Sequence, residues 1–277
     1  GAGIATCFAS AGLPVTLVDI SAEGLARGLA TVRANLEGAV ARGKLTAEDL
    51  ARALAILSGA TEYAGLRDAD LIVEAVFEDL ALKKKVFADL DRAAKPSTIL
   101  ATNTSYLDIN AIAASTTRPE KVLGLHFFNP AHVMKLLEIV RGAATSDETL
   151  ATAIGVSRRL GKTGVVANVC FGFIGNRMLN AYRTEALNLA LEGASIAEVD
   201  KALTAFGMPM GPIELADTVG LDICLNVGRI LGHEADGSRL AKLVAAKKLG
   251  KKSGEGFYTW KDTKPVKAVR PYAATEL

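Results

Sequence analysis

Leu71-Ile72-Val73-Glu74-Ala75-Val76 and Thr98-Ile99-Leu100-Ala101-Thr102 are two short runs, apolar on both faces, with a helical stretch from about Leu80 to Ala93 between them. A strand with no polar face must be covered on both sides, which is the condition of a mostly parallel sheet flanked by helices. The same alternation extends in both directions. Upstream, residues 2–12 predict a helix ended by Gly12, and Pro14-Val15-Thr16-Leu17-Val18-Asp19 a short strand ending in an acid. Residues 22–57 carry helical periodicity with a break at Gly43. Downstream, 121–126 and 136–140 predict two more strands, separated by Phe127-Phe128-Asn129-Pro130. A helix over 147–160 and a last strand over 164–169 follow. From Phe173 onward only helices are expected, over about 173–192, 195–206, 212–232 and 236–248. The expected organisation is therefore an α/β domain over 1–169, a helical domain over 170–260, and a linker or tail over 261–277.

With 277 residues, half of them hydrophobic and 22% charged, the chain can bury a sizeable core. Its net charge of +2 gives no electrostatic reason to expect a nucleic-acid partner. No apolar run reaches the ~18–20 uncharged residues of a membrane span. Cys7, Cys170 and Cys224 are odd in number and far apart, fitting neither a disulfide framework nor a metal site. A reducing compartment, the cytoplasm, suits them.

The first helix and strand suggest a cofactor. A glycine-rich turn, a helix and a second strand ending in an acid make a dinucleotide-binding unit. Its backbone amides and helix N-terminus hold the pyrophosphate, and its acid takes the adenine ribose hydroxyls. Asp19 stands where that acid belongs, and neither Ile20 nor Ser21 is basic. A carboxylate repels a 2′-phosphate, so NAD is favoured over NADP. Only the last glycine of a GxGxxG pattern is present, as Gly1. The plain alternative is a helix followed by a strand whose terminal Asp caps a turn.

His126 and Glu138 suggest the chemistry. His126 ends one expected strand, and Glu138 lies inside the next between Leu137 and Ile139. A carboxylate in so apolar a strand needs a partner, and an imidazole is suitable. The Glu fixes one ring nitrogen and leaves the other free to take a proton, as alcohol oxidation requires. The alternatives are a satisfied core histidine and an edge acid. His132, in a loop beside Pro130, is a rival base more simply read as structural, and His233 reads as a surface residue. Ser105, just past a strand end, can hydrogen-bond the reacting oxygen. Asn176 in Gly172-Phe173-Ile174-Gly175-Asn176-Arg177 can donate to it, or simply cap a helix.

Six blocks in order resemble the L-3-hydroxyacyl-CoA dehydrogenase family: 73–78 (Val-Glu-Ala-Val-Phe-Glu), Thr102-Asn103-Thr104-Ser105, 124–130, 173–177, 208–215 and 252–258. The resemblance implies a Rossmann-like doubly wound, mostly parallel sheet followed by an all-α C-terminal domain. It implies NAD-dependent oxidation of 3-hydroxyacyl-CoA in fatty-acid β-oxidation. It makes His126 the catalytic base and Glu138 its orienting partner, with Ser105 and Asn176 on the substrate oxygen. Gly1, Asp19, Glu78, Lys83, Ser105 and Asn129 would contact NAD. The stretch around Asn35 and Arg42 falls where the family approaches coenzyme A, so that Arg42 and Lys44 would meet phosphates, unless they are simply solvated. Partners implied are an acyl-CoA substrate and either a second copy, through the helical domain, or a thiolase subunit.

The compact hairpin over 35–57 and the stretch Tyr258-Thr259-Trp260-Lys261-Asp262 look closer to the dehydrogenase portion of multifunctional β-oxidation α-subunits than to the free-standing enzyme. The first strand and the first two glycines of the nucleotide fingerprint are not among these residues. The chain is therefore expected to be part of a longer polypeptide. Two other functions stay open on the residues: a β-hydroxyacid dehydrogenase acting on an acid without coenzyme A, and a non-catalytic dinucleotide-binding protein.

Overall fold

The computed structural model describes residues 1–230 and 238–267. His233, the first residues of the helix expected over 236–248 and most of the expected tail lie outside the described residues. The chain divides into two compact units, Gly1–Arg177 and Met178–Leu277.

The first unit opens with α1 (Ala2–Ser10), closed where Gly12 takes φ +72°, a left-handed turn that suits glycine. β1 (Val15–Val18) leads to α2 (Ala22–Ala41), whose first turn is capped by Ser21 Oγ accepting from Gly24 N at 2.9 Å. α3 (Ala47–Ala55) begins in a reciprocal cap between Thr46 and Asp49. Val32 and Leu36 of α2 pack with Ala5 and Ala9 of α1 and Ala53 of α3, which seats the helical hairpin on α1. Helical periodicity, expected to residue 57, stops at Ala55, and β2 (Leu57–Ala60) pairs in parallel with β1. Leu-Ser-Gly-Ala carries no strand signal of its own. It becomes a strand because β1 offers it a ladder, tied also by Thr16 Oγ1 to Ser58 Oγ at 3.0 Å.

The remaining strands form a separate ladder, β3 (Leu71–Glu74), β4 (Ile99–Thr102), β5 (Val122–Phe127), β6 (Leu136–Arg141) and β7 (Thr163–Asn168), in that order. α4 (Leu80–Ala93), the short α5 (Ile109–Ala113), which has no sequence signal, and α6 (Asp147–Arg159) connect them. Alternation along the strands divides two cores. Leu100, Val122 and Val140 face α4 and α5, through Phe87, Leu90, Ile109 and Ile112. Ile99, Ala101, Leu123, Leu125, Leu137 and Ile139 face α1 and α6. All neighbours are parallel except β5 and β6, whose short connection permits only the antiparallel turn-back. That reversal sets His126 directly opposite Glu138.

The bulkiest fully buried side chain in the described structure is a lysine, Lys83 of α4. Its ammonium lies 2.7 Å from Glu74 Oε1 at the end of β3, and both side chains are 1% exposed. Glu74 also accepts from Val76 N (2.6 Å) and Thr102 Oγ1 (2.8 Å), so one carboxylate joins β3, α4 and β4.

The second unit contains α7 from Met178 onward (the helix is Gly175–Leu191), α8 (Ile196–Phe206), α9 (Pro212–Val219), α10 (Leu221–Ile230) and α11 (Arg239–Ala245). The single helix expected over 212–232 is broken at Gly220, which takes φ +109°. The tail expected from 261 is corrected in its first residues: β8 (Thr259–Lys261) and β9 (Lys264–Val266) form an antiparallel hairpin. Buried Asp217 holds it, accepting from Phe257 N, Tyr258 N and Trp260 Nε1, each at 2.9 Å. Asp200, equally buried, accepts from Ile213 N, Glu214 N and Tyr258 Oη.

Asp217→Ala removes the acceptor of three hydrogen bonds and is expected to cost about 3 kcal/mol or more, read from urea unfolding followed by far-UV circular dichroism. Lys83→Met strands the Glu74 carboxylate and is expected to cost about 4 kcal/mol, whereas the double change Lys83→Met with Glu74→Leu recovers most of that loss. A double variant as unstable as the single one would show that the pair is not the source of the cost.

Candidate active site

β5 and β6 present His126 and Glu138 as a cross-strand pair, with His126 Nδ1 at 2.6 Å from Glu138 Oε2, and both side chains buried. Glu138 Oε1 accepts from the amides of Ile174 (2.9 Å) and Gly175 (2.7 Å), at the start of α7. Burial works against ionisation of Glu138. The hydrogen bond from His126, the Gly175 amide, the imidazole charge and the Ile174 amide outweigh it, and the carboxyl lies below its ordinary value. An ionised carboxylate only accepts, so Nδ1 carries the proton and Nε2 is the nitrogen left to exchange one.

The ring is held as well as bonded. Phe128 and Phe173 pack on it with centroids at 4.5 and 5.7 Å. Phe173 is buried at φ +47°, a left-handed conformation that a bulky side chain keeps only where its surroundings over-determine it. Gly175 is required by space: a Cβ there would lie 2.7 Å from Phe128 Cζ.

The Ser105 turn is organised by Glu78. Glu78 Oε1 accepts from Thr104 Oγ1 (2.5 Å), Ser105 N (2.8 Å) and Tyr106 N (3.2 Å). Its other oxygen lies 3.5 Å from Lys83 Nζ. Asn103 Oδ1 accepts from Phe127 N at 2.9 Å, tying the turn to the residue after His126. The Ser105 hydroxyl makes no hydrogen bond among the described residues. Asn176, next to the Gly175 that holds Glu138, lies in the first turn of α7 with its side chain likewise unengaged among the described residues. Lys83, expected to contact NAD, is 1% exposed. Glu74, the Val76 carbonyl and Glu78 enclose its ammonium, so it is linked to the Ser105 turn through Glu78. The contributions of Thr104, Asn103, Glu74 and the 174–175 amides are not apparent from the sequence. The one signal was an acid, Glu74, in an apolar strand, the same signal that singled out Glu138.

The residues around β1 fit a dinucleotide. Asp19 Oδ1 accepts from Ser21 N (3.0 Å) and Ser21 Oγ (3.3 Å), which leaves Oδ2 without a partner among the described residues. Beside it Ile20 is 87% exposed, and so is Phe77 in the loop before α4. A Cβ at Gly1, the N-cap of α1, would meet only Leu17 Cδ1, at 3.7 Å. The N-terminus of a helix is where backbone amides could hold a bound pyrophosphate. Asn129 is exposed beside the Asn129–Pro130 cis peptide. Arg42 is exposed at the end of α2, and Asn35 bonds Thr6 Oγ1 (3.2 Å), packing α2 on α1.

Comparison with known proteins agrees with this geometry. The family described as "3-hydroxyacyl-CoA dehydrogenase, NAD binding domain" matches residues 1–170, and "3-hydroxyacyl-CoA dehydrogenase, C-terminal domain" matches 172–260. The fatty acid oxidation complex subunit alpha of Shewanella sp. (strain W3-18-1) is 43% identical over 97% of this chain. The chain spans 39% of the length of that relative. Among solved structures, M. tuberculosis FadB2 is similar at 38% identity and TM-score 0.88, over 94% of this chain and 95% of that one. The 3-hydroxybutyryl-CoA dehydrogenase of Escherichia coli K12 is similar at 42% identity and TM-score 0.87, over 97% of this chain and 58% of that one. With a matching domain on each side of residue 171, the chain belongs to the 3-hydroxyacyl-CoA dehydrogenase family.

Proposed function

We propose that the chain reversibly oxidises the 3-hydroxyl of an L-3-hydroxyacyl-CoA to the 3-ketone with NAD, as the dehydrogenase portion of a multifunctional β-oxidation enzyme. The observation that carries this reading is the buried imidazole held by an ionised carboxylate, His126 Nδ1 to Glu138 Oε2 at 2.6 Å. When bound, NAD supplies the hydride acceptor. His126 Nε2 takes the hydroxyl proton as the hydride leaves the same carbon, and Glu138 stabilises the imidazolium that results. Ser105 Oγ and Asn176 hydrogen-bond the substrate oxygen and fix which face of the carbon is presented. Asp19 receives the adenine ribose, Gly1 and the start of α1 the pyrophosphate, and Glu78 and Asn129 border the nicotinamide end.

No described helix is long and apolar enough to cross a membrane. The three free cysteines suit a reducing compartment, which we infer to be the cytoplasm. We also infer association with a thiolase subunit; the Shewanella relative is by name the alpha subunit of a fatty acid oxidation complex. Pairing of two copies through the helical unit is the other assembly we infer.

His126→Ala is expected to lower kcat for acetoacetyl-CoA reduction by about 10²–10⁴-fold, with NADH affinity by fluorescence titration unchanged. Equal loss of both would refute the assignment. Turnover of free 3-hydroxy acids matching that of acetoacetyl-CoA would favour a small-acid dehydrogenase, and no NADH oxidation at all a binding protein. Glu138 has a depressed carboxyl, so its contribution to stability is complete above the ordinary carboxylate range and is lost as pH falls through the depressed value. Glu138→Gln is expected to flatten that acid limb of the stability–pH curve, and to slow turnover without weakening NADH binding.

A further inference from the structure

Stability alone does not call for the buried pair of Lys83 and Glu74. Well-packed apolar side chains of the same volume are often as stable, because taking two charges out of water costs about what their attraction returns. What the pair can do, and a Met beside a Leu cannot, is hold neighbouring groups in one orientation. Its contacts lead to the Ser105 turn by two routes.

The first route runs through the ammonium. Lys83 Nζ donates to Glu74 Oε1 at 2.7 Å and to the Val76 carbonyl at 3.3 Å. One of its three N–H groups remains, and Glu78 Oε2 lies 3.5 Å away. With that oxygen drawn to the ammonium, Glu78 Oε1 faces the turn and accepts from Thr104 Oγ1, Ser105 N and Tyr106 N. The second route runs through a hydroxyl. Thr102 Oγ1 gives its single proton to Glu74 Oε2 at 2.8 Å, which leaves its lone pairs to accept from Thr104 N at 3.2 Å. Thr104 Oγ1 in turn accepts from Leu107 N at 3.0 Å. Both oxygens of Glu74 therefore end, within three contacts, on the backbone of residues 104–106. The Ser105 hydroxyl makes no hydrogen bond of its own among the described residues, so its place is set by the backbone of this turn. A displacement of roughly 1 Å in such a group can cost about a hundredfold in rate.

We propose that Glu74 is a positioning residue for the oxidation step. Acting through Lys83 and Glu78 on one side and through Thr102 and Thr104 on the other, its carboxylate holds the Ser105 hydroxyl where it meets the substrate oxygen. The proposal rests on the role given to Ser105 above, and reaches it from a side chain that is itself buried away from the substrate. The plain alternative is that the pair only packs β3, α4 and β4 together.

The test uses the double change Lys83→Met with Glu74→Leu, whose stability is expected to stay near that of the unaltered protein, alone and in a Ser105→Ala background. Should the double variant fail to fold, Glu74→Gln, which keeps the shape of the side chain, replaces it under the same expectations. The expected result is a fall of about tenfold to a hundredfold in kcat for acetoacetyl-CoA reduction. The KM for acetoacetyl-CoA and the Kd for NADH, from fluorescence titration, should stay within about twofold. In the Ser105→Ala background the same change should lower kcat by less than about twofold further, because the group it positions is already gone. The amides of Ser105 and Tyr106 should exchange their hydrogens about tenfold faster or more, with global stability unchanged. An unchanged kcat overturns the proposal. So does an equal further fall in the Ser105→Ala background, which would place the effect in general packing or at the cofactor. If the unaltered protein does not turn over acetoacetyl-CoA, the functional reading fails. Hydrogen exchange still decides the positioning, since Ser105 and Tyr106 amides as protected in the variant as in the unaltered protein overturn it.

Discussion

A carboxylate removed from water survives as an anion only if donors fill its oxygens, and the first unit is arranged around that requirement at Glu138. One oxygen takes the imidazole and the other takes two backbone amides at the start of α7. Meeting the requirement needs an antiparallel β5–β6 pair to bring the imidazole opposite. It also needs a glycine at 175 so that the amides can approach past Phe128. The tautomer and direction of the ring follow from these contacts, and the proton chemistry follows from the ring.

The same device recurs. Glu74 joins β3, α4 and β4, and Glu78 gathers the 104–106 turn. In the helical unit Asp200 and Asp217 share Tyr258, one through its hydroxyl and the other through its amide. Burial raises both aspartates, and their donors only partly offset it. In both units, acids do the joining that apolar contacts cannot direct, because a hydrogen bond fixes orientation where hydrophobic burial does not.

The central strands were readable because each is apolar on both faces, and that pattern leaves few alternatives to a covered parallel sheet. β2 was not, since Leu57–Ala60 is half exposed and is a strand only by pairing with β1. The β8–β9 hairpin escaped notice for a related reason: Thr259, Lys261 and Lys264 are exposed, and what holds the segment is an acid more than forty residues earlier in the chain. At the site, His126 and Glu138 stood out as polar residues at strand positions. Lys83 stood out only by resemblance, and the fold encloses its ammonium with Glu74, a partner that sequence spacing does not reveal.

Trp260 is the chain's single tryptophan. It is buried in the helical unit, its indole donating to Asp217, with the Lys251 ammonium 5.5 Å from the ring centroid. Intrinsic emission excited at the red edge therefore reports on the helical unit alone. A denaturation curve followed by tryptophan fluorescence records the unfolding of the smaller unit, Met178–Leu277.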